Sequence, residues 1–141
     1  WVYIDVNLSV GMERPLAHNG RLLCVCFAVR TDKSSPGLEF AQMLKQDRPK
    51  DYEKVIRLFK WLGDLGWINN REKFKPIEGT EFFEFKEHQI RMPCLRSGNF
   101  YIITHGFFKK TDSISREQIL RARLIIGEDQ ARQKKVQKKS A

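Results

Sequence analysis

Cysteine is scarce in this sequence, and its distribution excludes a disulfide framework. The three cysteines, Cys24, Cys26 and Cys94, lie inside apolar stretches that resemble strands. In such places cysteine acts as a small buried hydrophobe of a protein in a reducing compartment. Cys24 and Cys26 could face a metal ion from one strand, but no Cys or His pair with zinc-site spacing accompanies them. We therefore expect a cytoplasmic protein with no metal site and no other cofactor.

The sequence also lacks a long apolar run, and it has few acidic residues relative to basic ones. No run approaches the roughly 20 residues that a membrane span requires, and we recognise no signal peptide. Lysine and arginine number 26 against 17 aspartates and glutamates, so the formal net charge is +9. This balance favours a polyanionic partner. Nucleic acid is favoured over a membrane because no basic amphipathic helix stands alone.

The length of 141 residues, with 41% hydrophobic content, predicts one domain with a modest core. We expect this domain to occupy residues 21–130, between an N-terminal extension (residues 1–20) and a flexible basic tail (residues 131–141). The chain begins with Trp1, and Met12 lies in a turn-like segment. Met12 is therefore the expected native start.

The most apolar stretch of the sequence predicts a central strand over residues 100–104. Aromatic and β-branched residues follow one another there, which is typical of a strand buried on both faces. Simple alternation would place Tyr101, Ile103 and His105 on one face. Gly106 then indicates a bulge or a close approach of backbone.

Periodicity outlines the remaining elements. An apolar run predicts a first strand over residues 21–30, and helical spacing predicts two helices between residues 37 and 65. A capping-box pattern at residues 115–118 begins a last helix. With two further strands, described next, the order is β-α-α-β-β-β-α. This order predicts an α+β fold in which the last three strands form an antiparallel meander and helices back the sheet.

Two strands of this meander carry charged candidates. In the strand over residues 80–88, charged side chains are expected on the face opposite Phe83 and Phe85. These side chains are Glu84, Lys86 and His88. The next strand, over residues 89–95, contributes Arg91. It also contains Pro93, which cannot donate to a ladder and so predicts an edge or bulged strand.

Trp61 and Trp67 lie at and just beyond the end of the second predicted helix. Indole rings can stack nucleic-acid bases. Aromatic residues beside helical leucines are more often part of a core, however, so we expect both tryptophans to pack.

Several segments together resemble a known family. They are Lys73-Phe74-Lys75-Pro76-Ile77-Glu78-Gly79, then Phe82-Phe83-Glu84-Phe85-Lys86, Ile90-Arg91-Met92 and Thr104-His105-Gly106-Phe107-Phe108-Lys109-Lys110-Thr111. This succession, followed by a capped helix, resembles the RelE/HigB superfamily of toxins from type II toxin-antitoxin systems, in its phage-derived, HigB-like branch. The resemblance covers about residues 21–126.

The resemblance implies a RelE-like fold, an antiparallel sheet backed by helices. It also implies a small endoribonuclease, an mRNA interferase that cuts mRNA, in most members only on the ribosome, and that a cognate antitoxin protein silences. By position, the active-site face would include Glu84, Lys86, Arg91 and either Lys109 or Lys110. Several members place a tyrosine or histidine in or near the last helix, whereas this chain has neither after His105.

The residue types agree with that chemistry independently of the family. Cleavage of RNA through its own 2′-OH requires a base, an acid and cations that stabilise charge on phosphorus, without any metal. Arg91 and Lys110 suit charge stabilisation. Glu84, Lys86 or His105 could move protons. The candidate RNA-binding residues are Lys109, Lys73, Lys75 and His88.

Each assignment has an alternative. Glu84 and Lys86 could form only a solvated strand face, and His105 could be a hydrogen-bonded core histidine, which would leave His88 as a proton donor. Lys109 and Lys110 could grip phosphate without taking part in chemistry. The protein could then be a non-catalytic RNA- or ribosome-binding module. A toxin that acts on a protein target such as gyrase is a third alternative.

Overall fold

The computed structural model describes residues 14–111 and 113–140. They form an α+β fold with three helices and a seven-stranded, mostly antiparallel sheet, which confirms the predicted class. The helices are α1 (Pro36–Asp47), α2 (Pro49–Leu65) and α3 (Arg116–Ser140). The strands are β1 (Leu16–Asn19), β2 (Cys24–Phe27), β3 (Phe74–Pro76), β4 (Phe83–Glu87), β5 (Ile90–Ser97), β6 (Phe100–Ile103) and β7 (Phe107–Phe108).

The strands follow the order β1-β2-β6-β5-β4-β3, and β7 pairs with β5 beyond the end of β6. The predicted meander of β4, β5 and β6 is confirmed, because both of its pairings are antiparallel. β2 instead pairs with β6 in parallel, with Val25 opposite Tyr101. A parallel pair needs a long crossover connection, and α1 and α2 lie within this one.

The fold extends beyond the boundaries expected from the sequence. β1 lies in the expected extension, yet it pairs with β2 at the edge of the sheet, so residues 14–19 belong to the domain. α3 continues to Ser140, so residues 131–140 are helical where a flexible tail was expected. The proposed start at Met12 lies outside the described residues.

Helices cover both faces of the sheet. α1 and α2 pack on the face that carries Phe27, Phe85 and Tyr101, with Phe59 of α2 in edge-to-face contact with Phe27 and Phe85. α3 packs on the opposite face over β2 and β6, against Cys26 and Ile102 among others. The three cysteines are buried and free. None of the helices in the described part of the chain is long and apolar enough to cross a membrane.

The alternation predicted for β4 and β5 is confirmed where it matters for the site. Phe83, Phe85 and Met92 pack toward α1 and α2. Because side chains alternate along a strand, the intervening Glu84 and Arg91 emerge on the face that α3 only partly covers.

A bulge explains how a proline is accommodated inside the sheet. β5 is a central strand, flanked by β4 and β6, so Pro93 does not lie at an edge. Cys94 pairs with Ile103 and Arg91 with Phe107, so residues 92–93 lie opposite residues 104–106. The partner strand carries one extra residue at this place, and Pro93 is found there because the regular ladder is interrupted.

Gly106 lies in this bulge, where the sequence indicated either a bulge or a close approach. Both are present, because a Cβ atom on Gly106 would overlap the ring of Phe40 from α1. The bulge also reverses the alternation after β6. Phe107 therefore pairs with Arg91 on the partly open face, while Phe108 packs against Phe40 on the other.

Candidate functional site

A groove lies on the half of the sheet that α3 leaves open. One wall is formed by β3, β4 and β5, and the other by the segment after β7 together with the first turns of α3. The groove encloses about 680 Å³, a volume in the range of ligand-binding sites. The strand register places Lys75 opposite Glu84 and Lys86 opposite Arg91, so the charged side chains of three neighbouring strands converge here.

Glu84 is the most unusual group of the groove. Its side chain is buried, Oε1 lies 3.6 Å from Nε of Arg91, and Oε2 has no hydrogen-bond partner among the described residues. Burial raises the pKa of this carboxyl group, although the nearby cations Arg91 and Lys75 oppose the shift. A buried carboxylate oxygen without a partner is costly, and protonation of the group relieves part of that cost.

Arg91 is held beside Glu84 by the hairpin between β4 and β5. Its Nη1 donates hydrogen bonds to the carbonyl oxygen of His88, at 2.6 Å, and to that of Ile90, at 2.8 Å. These bonds fix the plane of the guanidinium group. A cation that is already oriented stabilises developing negative charge without reorganising during the reaction.

Lysines complete the positive surface of the groove. Lys75 reaches it from β3, and Lys109 and Lys110 reach it from the segment after β7. Lys86 is not among the residues that line the groove, but it lies beside it, opposite Arg91 in the β-ladder. Burial, together with repulsion from Lys75 and Arg91, lowers the pKa of Lys86, which makes a lysine a stronger acid.

His105 lies behind the groove rather than in its lining. The side chain is buried, with Nε2 2.8 Å from Oε1 of Gln118 and Nδ1 3.0 Å from Oγ1 of Thr104. Burial lowers its pKa to about 4, so the ring is neutral at neutral pH. Its imidazole stacks on Phe107 and holds Gln118, which corresponds to the core-histidine alternative.

His105 also does not share the face of Tyr101 and Ile103, as simple alternation predicted. β6 ends at Ile103, and the bulge turns His105 toward α3. The expected common face of these three residues is therefore wrong.

Lys73 and His88 lie away from the groove. Nζ of Lys73 is 2.6 Å from Oε2 of the buried Glu87. His88 occupies the hairpin between β4 and β5 with a φ of 53°, and its Nε2 is 3.3 Å from Nζ of Lys54 on α2. The structure thus separates these two residues from the other predicted site residues.

Sequence reasoning missed part of the groove wall. Arg71, Glu78 and Gln118 line the groove, but none was predicted as a site residue. Glu78 stands in one of the segments that carry the family resemblance, whereas Arg71 stands in no motif. Gln118 lies in the capping-box pattern, which predicts only the start of α3, and its role depends on how α3 docks against His105. Among the described residues, no group of three or more His, Cys, Asp or Glu is arranged to hold a metal ion.

Comparisons with known proteins assign no family to this chain. No family model matches it, and no curated protein matches it either. The function is therefore argued from the geometry of the groove and the resemblance of its motifs.

Proposed function

We propose that the protein is an endoribonuclease that cleaves single-stranded RNA in this groove by metal-independent attack of the 2′-OH. The observation that supports the proposal most directly is the pair of Glu84 and Arg91. A buried carboxylate with an unpaired oxygen lies beside a guanidinium group that is already fixed in place. This combination supplies a base next to a cation, as transphosphorylation of RNA requires.

The chemistry can be assigned to named groups. Glu84 removes the proton of the 2′-OH, and the 2′ oxygen attacks phosphorus while the bond to the 5′ oxygen breaks. Arg91, Lys109 and Lys110 stabilise the negative charge that develops on the phosphoryl oxygens. Lys86, whose pKa is lowered, donates a proton to the 5′ oxygen. The products are a 2′,3′-cyclic phosphate and a 5′-OH end.

The biological setting follows from the motif resemblance. A RelE-like fold and membership of the RelE/HigB superfamily would make the protein the toxin component of a toxin-antitoxin system. It would act on mRNA at the ribosome, in the cytoplasm, and a cognate antitoxin would inhibit it. The α+β architecture and the cationic groove agree with this setting.

Controlled expression in bacteria with mapping of mRNA 5′ ends tests the proposal. The chain is expected to stop growth and to produce new 5′ ends within translated codons, whereas an Arg91→Ala variant should be harmless. Arg96→Ala is the matched control, because Arg96 lies exposed on the same strand and outside the groove. If growth stops without new ends, the endoribonuclease proposal fails and a protein target such as gyrase replaces it.

The opposite pKa shifts of Glu84 and Lys86 predict a bell-shaped pH profile for RNA cleavage. The rate should rise as Glu84 loses its proton, with a midpoint above the ordinary carboxyl value of 4.5. It should fall as Lys86 loses its proton, with a midpoint below the ordinary lysine value of 10.5. Single-turnover rates across the pH range measure both limbs.

A Lys86→Arg variant provides the control for the alkaline limb. Arginine stays protonated throughout the accessible range, so the alkaline fall should disappear in this variant. An unchanged alkaline limb would remove Lys86 from the role of acid and assign that limb to another group.

Non-catalytic RNA binding is the second candidate, and the burial of His105 favours it. The only histidine in the predicted central segment is neutral and engaged with Gln118 and Thr104. It does not replace the tyrosine or histidine that several members of the superfamily place in or near the last helix. Two oligonucleotides of the same sequence, one with ribose and one with 2′-deoxyribose at every position, separate the two candidates. A nuclease that uses the 2′-OH binds the 2′-deoxyribose form without cleaving it but cleaves the ribose form. A binding module cleaves neither form.

A further inference from the structure

A second cavity lies at the C-terminal end of α2 and has a different character from the groove. It encloses about 430 Å³ between Trp61 and Trp67, with Leu65 and Ile68 as further apolar walls. Trp61 and Trp67 are 44% and 43% exposed. The predicted packing therefore holds in part for Trp67, which contacts Phe74 and Phe83, whereas Trp61 lies at the surface. Asn69 and Asn70 complete the lining.

The two indole rings differ in how firmly they are held. Trp67 makes edge-to-face contacts with Phe74 and Phe83, at centroid distances of 5.3 and 5.7 Å, so this ring is a fixed wall. Trp61 projects from α2 one turn before Leu65, which is also exposed. The cavity therefore presents one ring anchored in the aromatic core and one ring at the surface.

This tryptophan cavity adjoins the groove through the edge of the sheet. Asn70 lines the cavity, and the next residue, Arg71, lines the groove. Successive residues of β3 likewise face the two sites, because Phe74 contacts Trp67 of the cavity whereas Lys75 lines the groove. The cavity lies on the α2 side of the sheet and the groove on the other side, so an RNA strand that reaches both must pass around the edge strand β3.

We propose that the cavity between Trp61 and Trp67 binds an unpaired base of the same RNA strand whose cleavage site lies in the groove. The inference rests on the proposed function, because it needs RNA in the groove. Indole faces stack any base, and the amide of Asn69 can pair with a base edge, whereas Oδ1 of Asn70 accepts the backbone N–H of Glu72 at 2.9 Å. Arg57, one turn before Trp61 on α2, and Arg71 add positive charge for the backbone.

Binding of RNA by matched variants tests this inference. The probe is a single-stranded 2′-O-methyl RNA of roughly ten nucleotides, a length within the range of single-stranded sites, which lacks the hydroxyl that cleavage needs. Trp61→Ala is expected to weaken its binding about tenfold or more, because stacking on one aromatic ring contributes that much. Trp61→Phe keeps an aromatic face and should restore most of the affinity.

Two further measurements distinguish base stacking from other causes. Trp61 carries no charge, so the dependence of affinity on salt should be unchanged in Trp61→Ala, whereas Arg91→Ala should show a shallower dependence. A dinucleotide is too short to reach both sites and should bind equally well to wild type and Trp61→Ala. Leu22→Ala, which removes an exposed apolar side chain outside the cavity, should have no effect.

The outcomes separate the two proposals. If Arg91→Ala loses affinity and Trp61→Ala does not, RNA binds in the groove but the stacking inference is wrong. Equal losses in Trp61→Ala and Leu22→Ala also contradict stacking. If neither Arg91→Ala nor Trp61→Ala changes RNA binding, both the stacking site and the proposed function fail.

Discussion

Replacing Glu84 with glutamine is expected to slow RNA cleavage by about 10²–10⁴-fold, the usual contribution of a positioned general base. Glutamine keeps the shape of the side chain but cannot take the proton of the 2′-OH. Binding of uncleavable RNA should change little, since Arg91 and the lysines of the groove remain. Single-turnover cleavage and equilibrium binding, measured on the same variant, separate the two effects.

The stability of this variant gives an independent readout. Burial raises the pKa of Glu84, so its ionised form is less favourable in the folded than in the unfolded state, and at neutral pH it opposes folding. Glu84→Gln should therefore be at least as stable as wild type while it loses activity. Glu78→Gln is the matched control, because Glu78 lines the same groove and is exposed. Full activity in Glu84→Gln would exclude Glu84 as the base.

The Asp129→Ala variant is expected to lose about 3–5 kcal/mol of stability, the cost of breaking a buried ion pair from one side. Both carboxylate oxygens of Asp129, which is fully buried on α3, accept hydrogen bonds from Nε of Arg14 at 3.0 Å. Oδ2 also accepts the backbone N–H of Val29 at 2.9 Å. One side chain thus joins α3 to the residues that flank β1 and β2. Denaturant unfolding measures the loss.

Neighbouring Glu128 is a close control for this prediction. It pairs with Arg30 at 2.8 Å and accepts the backbone N–H of Thr31, so its partners are of the same kind, but both side chains of the pair are partly exposed. Glu128→Ala should therefore have a much smaller effect. A double variant, Arg14→Met with Asp129→Leu, should recover much of the lost stability, because it leaves no buried charge. Equal effects of Asp129→Ala and Glu128→Ala would show that burial does not determine the cost.

The parts of the fold that depend on local pattern were predictable. Alternation over residues 80–88 placed Phe83 and Phe85 on the core face and Glu84 opposite them, as the structure confirms. The direction of the Arg91 side chain and the strands of the meander were predicted from the same alternation with a period of two. These predictions hold because successive side chains of a regular strand point to opposite faces, so the face depends only on whether a position is odd or even.

Features that depend on distant contacts were not predictable. β1 and β3 have only four and three residues, too few to show a period, and each acquires its strand character by pairing with a neighbouring strand. The parallel pairing of β2 with β6 depends on the crossover. The position of His105 depends on a bulge that alternation cannot reveal, and the second wall of the groove depends on where α3 docks.

The bulge at residues 104–106 has a consequence for insertions and deletions. Because it adds one residue, it determines that Phe107 lies on the side of the groove, with Phe108 packed against Phe40 on the side of α1. Deleting one codon there would exchange the sides of Phe107 and Phe108 without changing the net charge. In this segment, the number of residues, and not only their identity, determines which face each following side chain occupies.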